Sequence, residues 1–368
     1  MPDAEKTPAT SPVKGGGAFP DSFDENDQYY IPDPRTPDPP PPSVDLRKDH
    51  ADSVTPIYDQ GSTQSCTANA AAAAFWYEEK AGRHAADWGD TGPSRLFIYW
   101  LARRGTDPSF VTAEDTGSIM RDAIHGIAKY GACPEPDWPF PDFKAIDAQV
   151  QSEKLDDHTA IKKRTKQLRD ENVNRRPTDV AFKNAENHKI TTYRRLDADR
   201  PTEQDQRLTV DAKDLLGQAV LRRLKMCLSE GFPVAFSFWY YLPPKDMYDK
   251  TGDMFVLKDV WNHPRAPEKG LGPIARHTPP EKRNGHSVLA IGYDDDKQQV
   301  LVQNSWGQKW GKGKGVFLMP YAWITDFEAT NDFWTIRTAA GPTAPGWEEI
   351  NKSILGDFFG NLFGDAKG

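Results

Sequence analysis

Four polar residues of this chain have the types that catalysis by a thiol requires. Gln60 and Cys66 lie close together, and His286 and Asn304 follow much later in the sequence. A cysteine attacks a carbonyl carbon as the thiolate, which a base such as histidine generates by taking the thiol proton. An amide can orient the histidine ring, and another can donate to a developing oxyanion. Residues of these four types can together perform covalent catalysis on a carbonyl compound.

Cys66 is the cysteine whose local sequence best favours a thiolate. It opens a segment of alanines and aromatics that predicts a helix capped by Ser65 and reaching Lys80. The N-terminus of a helix carries partial positive charge, which lowers the pKa of a thiol. Cys133 precedes a proline, and Cys227 lies on a predicted apolar helix face. Because lone cysteines are commonly inert core residues, the position of Cys66 alone leaves both interpretations open.

The elements that must position these residues change character along the chain. The first half is helical, with a second helix predicted over residues 118–130. The second half contains β-branched and aromatic runs that predict strands. These runs are residues 233–239, 286–293, 299–304 and 315–319. Helices followed by strands indicate an α+β fold with two lobes, so the cysteine and the histidine would come from different lobes.

The segments around these residues resemble the papain-like cysteine peptidases. They are QGSTQSC at 60–66, NGHSVLAIGY at 284–293, and NSWG at 304–307 followed by Trp310-Gly311. Residues 94–99, 129–135 and 332–337 are more narrowly similar to the intracellular bacterial and fungal branch of that family. The resemblance spans roughly residues 43–337. It implies a helical lobe plus an antiparallel β-barrel lobe, with the active site in the cleft between them.

The resemblance also implies roles for individual residues. Cys66 would be the nucleophile, His286 its general base and then acid, and Asn304 the residue that orients the imidazole, with Trp306 covering that contact from water. Gln60 would donate to the oxyanion beside the backbone N–H of Cys66. The implied substrate-binding residues are Gly117 and Gly285. The activity would be hydrolysis of peptide bonds in a peptide or protein substrate through an acyl-enzyme, with no cofactor.

The chain departs from the family pattern beside the nucleophile. The family usually carries Cys-Gly-Ser-Cys-Trp there. This chain has Thr63 in place of the first cysteine, Gln64 in place of the glycine and Thr67 in place of the tryptophan. Thr63 removes a partner of a disulfide that is common in secreted members. Cys66 and His286 are also further apart than the roughly 130–150 residues that are usual. A charged region at 144–215 and a long loop at 243–283 account for the excess.

The sequence predicts three parts beyond the site itself. Residues 1–42 are proline-rich and predict a disordered arm, and residues 43–340 form the peptidase domain, with 144–215 as a charged surface insertion. Residues 341–368 place apolar side chains on one helical face and predict an amphipathic tail. The arm and the tail are candidates for contact with a partner.

Composition excludes several other classes of protein. With 46 Lys+Arg against 54 Asp+Glu, the net charge of −8 argues against sequence-independent nucleic-acid binding. The sequence shows neither a run long enough to span a membrane nor the apolar core of a signal peptide at its start. Three cysteines predict free thiols in a reducing, cytoplasmic compartment, and no Cys/His pair has metal-ligand spacing.

Two alternatives to hydrolysis remain open at this stage. The same fold could be catalytically retired and act as a binding or scaffold protein, with an obstructed cleft. The same triad could instead transfer the acyl group to an amine or ester, which would make the chain an acyltransferase.

Overall fold

The structure is a computed structural model that describes most of the chain from residue 17 to residue 338. The described residues are 17–21, 24, 26–51, 55–81, 91–104, 114–153, 155, 157–197, 210–240, 248–250, 252–257, 284–326 and 329–338. The amphipathic tail predicted over 341–368 and the first residues of the proline-rich arm lie outside them.

The helices of the described residues are numbered α1 to α9. Their bounds are α1 Leu46–Asp49, α2 Cys66–Ala81, α3 Arg95–Ala102, α4 Met120–Tyr130, α5 Phe143–Ser152, α6 His158–Asn174, α7 Asp179–Ala185, α8 Val210–Ser229 and α9 Tyr321–Thr325. The sequence predicted α2 and α4 to within two residues. Within the described part of the chain, none of these helices combines the length and the apolar composition needed to cross a bilayer.

Helix α2 is the central helix of the molecule. Its side chains from Cys66 to Glu79 are all buried, and it contacts α3, α4 and the strands of the sheet. A helix that is apolar nearly all round is a buried helix. The five alanines at 70–74 make this burial practicable, because small side chains let neighbouring elements approach closely. Cys66 therefore stands at the first residue of a rigid, well-packed element.

The strands form one large, mostly antiparallel sheet. Their bounds are β1 Ala18–Phe19, β2 Ser43–Asp45, β3 Ser118–Ile119, β4 Thr192–Arg195, β5 Val234–Tyr240, β6 Tyr248–Asp249, β7 Phe255–Leu257, β8 Asn284–Asp294, β9 Gln299–Gln303, β10 Val316–Pro320 and β11 Thr330–Arg337. The main order is β4-β11-β5-β8-β9-β10-β7-β6. The four strands predicted from the sequence are β5, β8, β9 and β10, each within two residues of its predicted bounds.

Two hydrophobic cores divide the fold into the two predicted lobes. One core contains the apolar faces of α2, α3 and α4, and the other contains α8, α9 and the inner faces of β5, β8, β9 and β10. The α+β, two-lobed architecture predicted from the sequence is confirmed. Helix α2, which begins at Cys66, packs directly against strand β8, which carries His286.

The charged region at 144–215 is more than the surface insertion that the sequence predicted. Its strand β4 pairs with β11 and extends the sheet by one strand. Val173 at the end of α6 is buried, and Arg103 of α3 donates to its carbonyl oxygen and to Asn174 Oδ1 at 2.8 Å. The sequence did not reveal these contacts, because α6 is mostly polar and its buried residue is Val173.

The proline-rich arm is not disordered where the structure describes it. Strand β1 pairs in parallel with β3 and in antiparallel fashion with β8. Further along, Tyr29 forms a bridge with Arg195, and Tyr30 is buried in the core of the barrel lobe. The prediction of disorder over residues 1–42 is therefore wrong for 17–21 and 26–42. Backbone pairing and polar contacts hold this segment in place. The prediction relied on its low apolar content, which says nothing about such contacts.

Paired charges attach the arm at Asp21 and Asp27. Arg121 of α4 contacts Asp27 at 2.5 and 3.0 Å, and Arg195 of β4 lies 3.1 Å from the same carboxylate. Arg195 also contacts Asp332 of β11 at 3.2 Å, and the backbone N–H of Asp21 donates to Asp332 at 3.1 Å. Buried charges are tolerated only when they are paired and hydrogen-bonded. This network therefore fixes the arm to both lobes.

A buried carboxyl on α2 makes the stability of the fold depend on pH. Burial, assisted by the neighbouring Glu79, raises the pKa of Glu78 to about 8, although Arg337 acts in the opposite direction. Between its ordinary value of 4.5 and about 8, the folded chain keeps a proton that the unfolded chain releases. The free energy of unfolding is therefore expected to fall by up to about 1.4 kcal/mol per pH unit across this window as pH rises.

Urea unfolding of the wild type and of Glu78→Gln at several pH values across that window measures this contribution. The glutamine variant is expected to lose this part of the slope, because it has no proton to release. Glu186→Gln, at an exposed position, serves as the control and should keep the wild-type slope. Equal slopes for Glu78→Gln and the wild type would contradict the assignment.

Candidate active site

The structure brings His286 and Asn304 together at adjacent positions of the sheet. Strand β9 ends at Gln303 opposite Leu289 of β8, so Asn304 follows beside the start of β8, which carries His286. His286 Nε2 lies 2.8 Å from Asn304 Oδ1, which also accepts the backbone N–H of Ser305 at 2.8 Å. Since Oδ1 is an acceptor, Nε2 carries the proton and Nδ1 keeps the lone pair that a general base needs.

Aromatic side chains enclose the imidazole. The ring of Trp306 stacks on His286 with centroids 4.7 Å apart, and Phe238 of β5 meets its edge at 5.7 Å. The sequence predicted the cover by Trp306 but missed Phe238, whose position follows from its pairing with His286 between β5 and β8. Burial lowers the pKa of His286 to about 4, and the bond to Asn304 offsets this only in part. The imidazole is thus neutral in this state.

Cys66 is fully buried in the described structure. Burial raises the pKa of its thiol to about 12, while hydrogen bonds from Ser287 and from the backbone of Thr67 lower it by less. The sequence predicted a lowered pKa from the helix N-terminus, and that prediction is wrong for this state because burial has the larger effect. A neutral thiol together with a neutral imidazole describes a resting site.

The arm covers the cleft between the two lobes. Gly17 donates its N–H to the carbonyl oxygen of Gly285 at 3.1 Å, and its own carbonyl oxygen accepts the N–H of Ser118 at 2.9 Å. Strand β1 therefore runs between the loop that carries Gly117 and the strand that carries Gly285. Both glycines predicted to bind substrate therefore lie against the backbone of the arm: Gly285 accepts from Gly17, and a Cβ atom on Gly117 would lie 2.2 Å from the Gly17 carbonyl oxygen.

The close approach of β1 explains why one of these positions is a glycine. A Cβ atom on Gly285 would lie 2.1 Å from the carbonyl oxygen of Ala18, which no real side chain tolerates. On the other side of β1, Tyr99 accepts the N–H of Gly117 at 3.0 Å and donates to Asp115. These contacts shape a narrow channel that admits an extended backbone.

Gln60 lies fully buried where the two lobes meet. Its Nε2 donates to the carbonyl oxygen of Thr63 at 2.8 Å, and its Oε1 accepts the hydroxyl of Ser305 at 2.6 Å. Its backbone N–H also donates to the carbonyl oxygen of Ser305 at 2.9 Å. An amide nitrogen carries two protons, and the contact with Thr63 accounts for one of them. A side-chain amide of this kind is the type of donor that can stabilise an oxyanion.

Comparisons with known proteins relate this geometry to a family. Residues 269–326, which include His286 and Asn304, match the family described as papain family cysteine protease. The chain is 29% identical over 289 residues to an uncharacterised peptidase C1-like protein of Acanthamoeba polyphaga mimivirus, covering 77% of this chain and 70% of that protein. Among solved structures, it is similar to xylellain, a cysteine protease from Xylella fastidiosa, with a TM-score of 0.57 and 29% identity over 89% of this chain and 97% of that one.

The fold alone extends to more distant proteins. Procathepsin L2 proteinase from the larval midgut of Tenebrio molitor is 16% identical, with a TM-score of 0.52 over 90% of this chain and 81% of that one. At this identity the likeness supports the two-lobed architecture and nothing finer.

Proposed function

Because this chain belongs to the papain-like cysteine peptidases, we propose that it hydrolyses peptide bonds with Cys66, His286 and Asn304 as its triad. The observation that carries the proposal is the bond between Asn304 and His286 of β8, the strand that packs against α2 and whose Ser287 hydrogen-bonds to Cys66. The similarity to proteases favours hydrolysis over the binding and acyl-transfer alternatives. Peptide cleavage by the purified chain, and its loss on alkylation of Cys66, test it.

The first half of the reaction forms an acyl-enzyme. His286 Nδ1 takes the thiol proton, and the Cys66 sulfur attacks the peptide carbonyl carbon to give a tetrahedral oxyanion. Gln60 Nε2 and the backbone N–H of Cys66 donate to that oxygen. As the C–N bond breaks, the protonated His286 delivers its proton to the leaving amine. The carbonyl carbon is then bonded to sulfur as a thioester.

The second half releases the acid product. His286, neutral again, takes a proton from a water molecule that attacks the thioester carbon. The same two groups donate to the second oxyanion, and the C–S bond breaks as the protonated His286 returns the proton to sulfur. Throughout both halves Asn304 fixes the imidazole, so that Nδ1 rather than Nε2 exchanges the proton. The proposed steps need no cofactor.

Loss of the Gln60 amide is expected to slow the chemical step. In Gln60→Ala, kcat should fall by about 10²–10³, because one oxyanion donor is missing. Alkylation of Cys66 by iodoacetamide should keep its wild-type rate, since that reaction forms no oxyanion. Gln149→Ala, on the exposed face of α5, is the matched control and should retain full activity. A kcat unchanged in Gln60→Ala would remove Gln60 from the mechanism.

We further propose that the described state is a latent form of the enzyme. Substrate must reach Cys66 through the channel between Gly117 and Gly285, and β1 occupies that channel. The burial of Cys66 and the raised pKa of its thiol support the same view. Activity then requires β1 to leave while the peptidase domain, proposed to span 43–340, stays folded.

The cellular setting is also a proposal. The three cysteines are free and buried, which supports a reducing, cytoplasmic compartment. The likeness to xylellain of a bacterium supports placement in the bacterial and fungal branch of the family. A partner that binds the prolines at 37–42 would be placed to draw the arm away from the cleft, and the apolar tail at 341–368 is a second candidate for contact with a partner.

A further inference from the structure

We infer that Thr63, Ser65 and Asn69 form a hydrogen-bonded relay that orients the side chain of Gln60. None of the three is assigned contact with substrate, so they are positioning residues that act through the oxyanion hole. The inference rests on the proposed function, because it concerns the same site. Two residues of the loop before α2 and one residue of α2 would thus fix the Gln60 amide, which is the oxyanion donor in the proposed reaction.

A continuous row of contacts connects the three residues to Gln60. The Thr63 hydroxyl donates to the carbonyl oxygen of Gln60 at 2.8 Å and lies 2.7 Å from the Ser65 hydroxyl. Asn69 Nδ2 donates to Ser65 Oγ at 3.0 Å and to the Ser65 carbonyl oxygen at 2.9 Å. Thr63 and Ser65 are fully buried and Asn69 is 1% exposed, so these hydrogen bonds are shielded from bulk water.

Counting protons gives the relay a single direction. A hydroxyl has one proton, and that of Thr63 is committed to the Gln60 carbonyl oxygen. Ser65 must therefore donate to Thr63, and its own oxygen accepts from Asn69. Donation runs from Asn69 through Ser65 and Thr63 to Gln60. Aligned hydrogen bonds in a buried site reinforce one another, so removing any member weakens the rest.

At the end of the relay away from Gln60, Asn69 of α2 is held by Arg95 of α3. Asn69 Oδ1 accepts from Arg95 Nη1 at 3.3 Å, which also reaches the carbonyl oxygen of Asp59 at 3.3 Å. The guanidinium of Arg95 lies between the rings of Tyr58 and Phe140, at 4.7 and 4.2 Å from their centroids. Asn69 stands one helical turn after Cys66. The relay thus ties the loop before the nucleophile to the helix that carries it.

The near end controls the amide of Gln60. Gln60 Nε2 donates to the carbonyl oxygen of Thr63, so the position of the Thr63 backbone sets the plane of that amide. No disulfide holds this loop, because all three cysteines are free. Without the Thr63 hydroxyl, the bond to the Gln60 carbonyl oxygen at 2.8 Å and the contact with the Ser65 hydroxyl would both be lost, and the turn would keep only its backbone bonds to Gln60. The Gln60 side-chain amide would then no longer be held in a single orientation.

The test compares the full-length wild type with Thr63→Val and Asn69→Ala. A dipeptidyl aldehyde adds to the Cys66 thiol and places an oxyanion-like oxygen in the hole, whereas iodoacetamide alkylates the same thiol without one. Aldehyde affinity is expected to fall by about tenfold in both variants, since the loss of an aligned donor weakens only oxyanion binding. The pH profile of alkylation should stay unchanged. Thr63→Ser, which keeps the hydroxyl, should restore aldehyde affinity.

A double variant separates action through Gln60 from a general weakening of the fold. Gln60→Ala with Thr63→Val should bind the aldehyde as Gln60→Ala alone does, because the relay acts through the missing amide. Losses that multiply in the double variant, or a shifted alkylation profile, would overturn the inference. Unchanged affinity in both single variants would also overturn it. A wild type that binds the aldehyde but cleaves no peptide would refute the proposed function and leave the relay measurable.

Discussion

Replacement of Cys66 by alanine is expected to reduce peptide hydrolysis by at least about a thousandfold, because the nucleophile of the acyl-enzyme is lost. Helix α2 is packed along its whole length, and the Cys66 side chain is small, so the substitution should leave the fold intact. The measurement is kcat/KM on a fluorogenic peptide library under reducing conditions. His286→Ala is expected to give a loss of similar size, since a thiol without its base is poorly ionised.

The other two cysteines provide matched controls. Cys133 and Cys227 are also buried and free, and burial raises the pKa of each thiol to about 12. Cys133→Ala and Cys227→Ala are expected to keep wild-type kcat, because neither thiol lies at the start of α2. Wild-type activity in Cys66→Ala would show that the reaction does not pass through this sulfur.

Displacement of β1 is expected to raise activity by about tenfold or more. Gly17 has φ of +105°, and a Cβ atom there would lie 2.1 Å from the carbonyl oxygen of Gln64. Gly17→Ala therefore cannot keep β1 in the channel. Each 1.4 kcal/mol of lost arm binding raises the open fraction about tenfold, and a left-handed backbone alone costs about 1–2 kcal/mol for a residue with a side chain.

This prediction is measured as initial hydrolysis rate and as the rate of Cys66 alkylation, both of which should rise in Gly17→Ala. Gly252→Ala is the control, because its Cβ would meet no atom closer than 3.7 Å, and it should behave as the wild type does. Removal of residues 1–20 should reproduce the effect of Gly17→Ala. Unchanged rates in both changed chains would mean that β1 does not obstruct the substrate.

The main elements of the site could be predicted from the sequence because their signals are local. An alanine run followed by aromatics predicts α2, and runs of β-branched and aromatic residues predict β8 and β9. The resemblance to the papain-like cysteine peptidases, carried by Gln60, Cys66, His286 and Asn304, then implies which ends of these elements meet. The structure confirms the fold class, and its contacts place these residues at one lobe junction.

The arm could not be predicted in the same way, because its contacts join residues far apart in sequence. Asp27 is held by Arg121 and Arg195, and each of these charges appears in the sequence as an ordinary surface residue. Only the assembled lobes bring them to one place. The same holds for the pKa of Cys66, where a helix N-terminus is a local signal but burial in the assembled fold is not.

Covalent labelling with a peptidyl epoxide, followed by mass spectrometry of the digested chain, tests the central claim most directly. The account predicts one label per chain, located on Cys66, with peptide hydrolysis lost in proportion to labelling. It also predicts faster labelling of Gly17→Ala than of the wild type. Peptide hydrolysis that persists after Cys66 is fully labelled would contradict the assignment of this residue as the nucleophile.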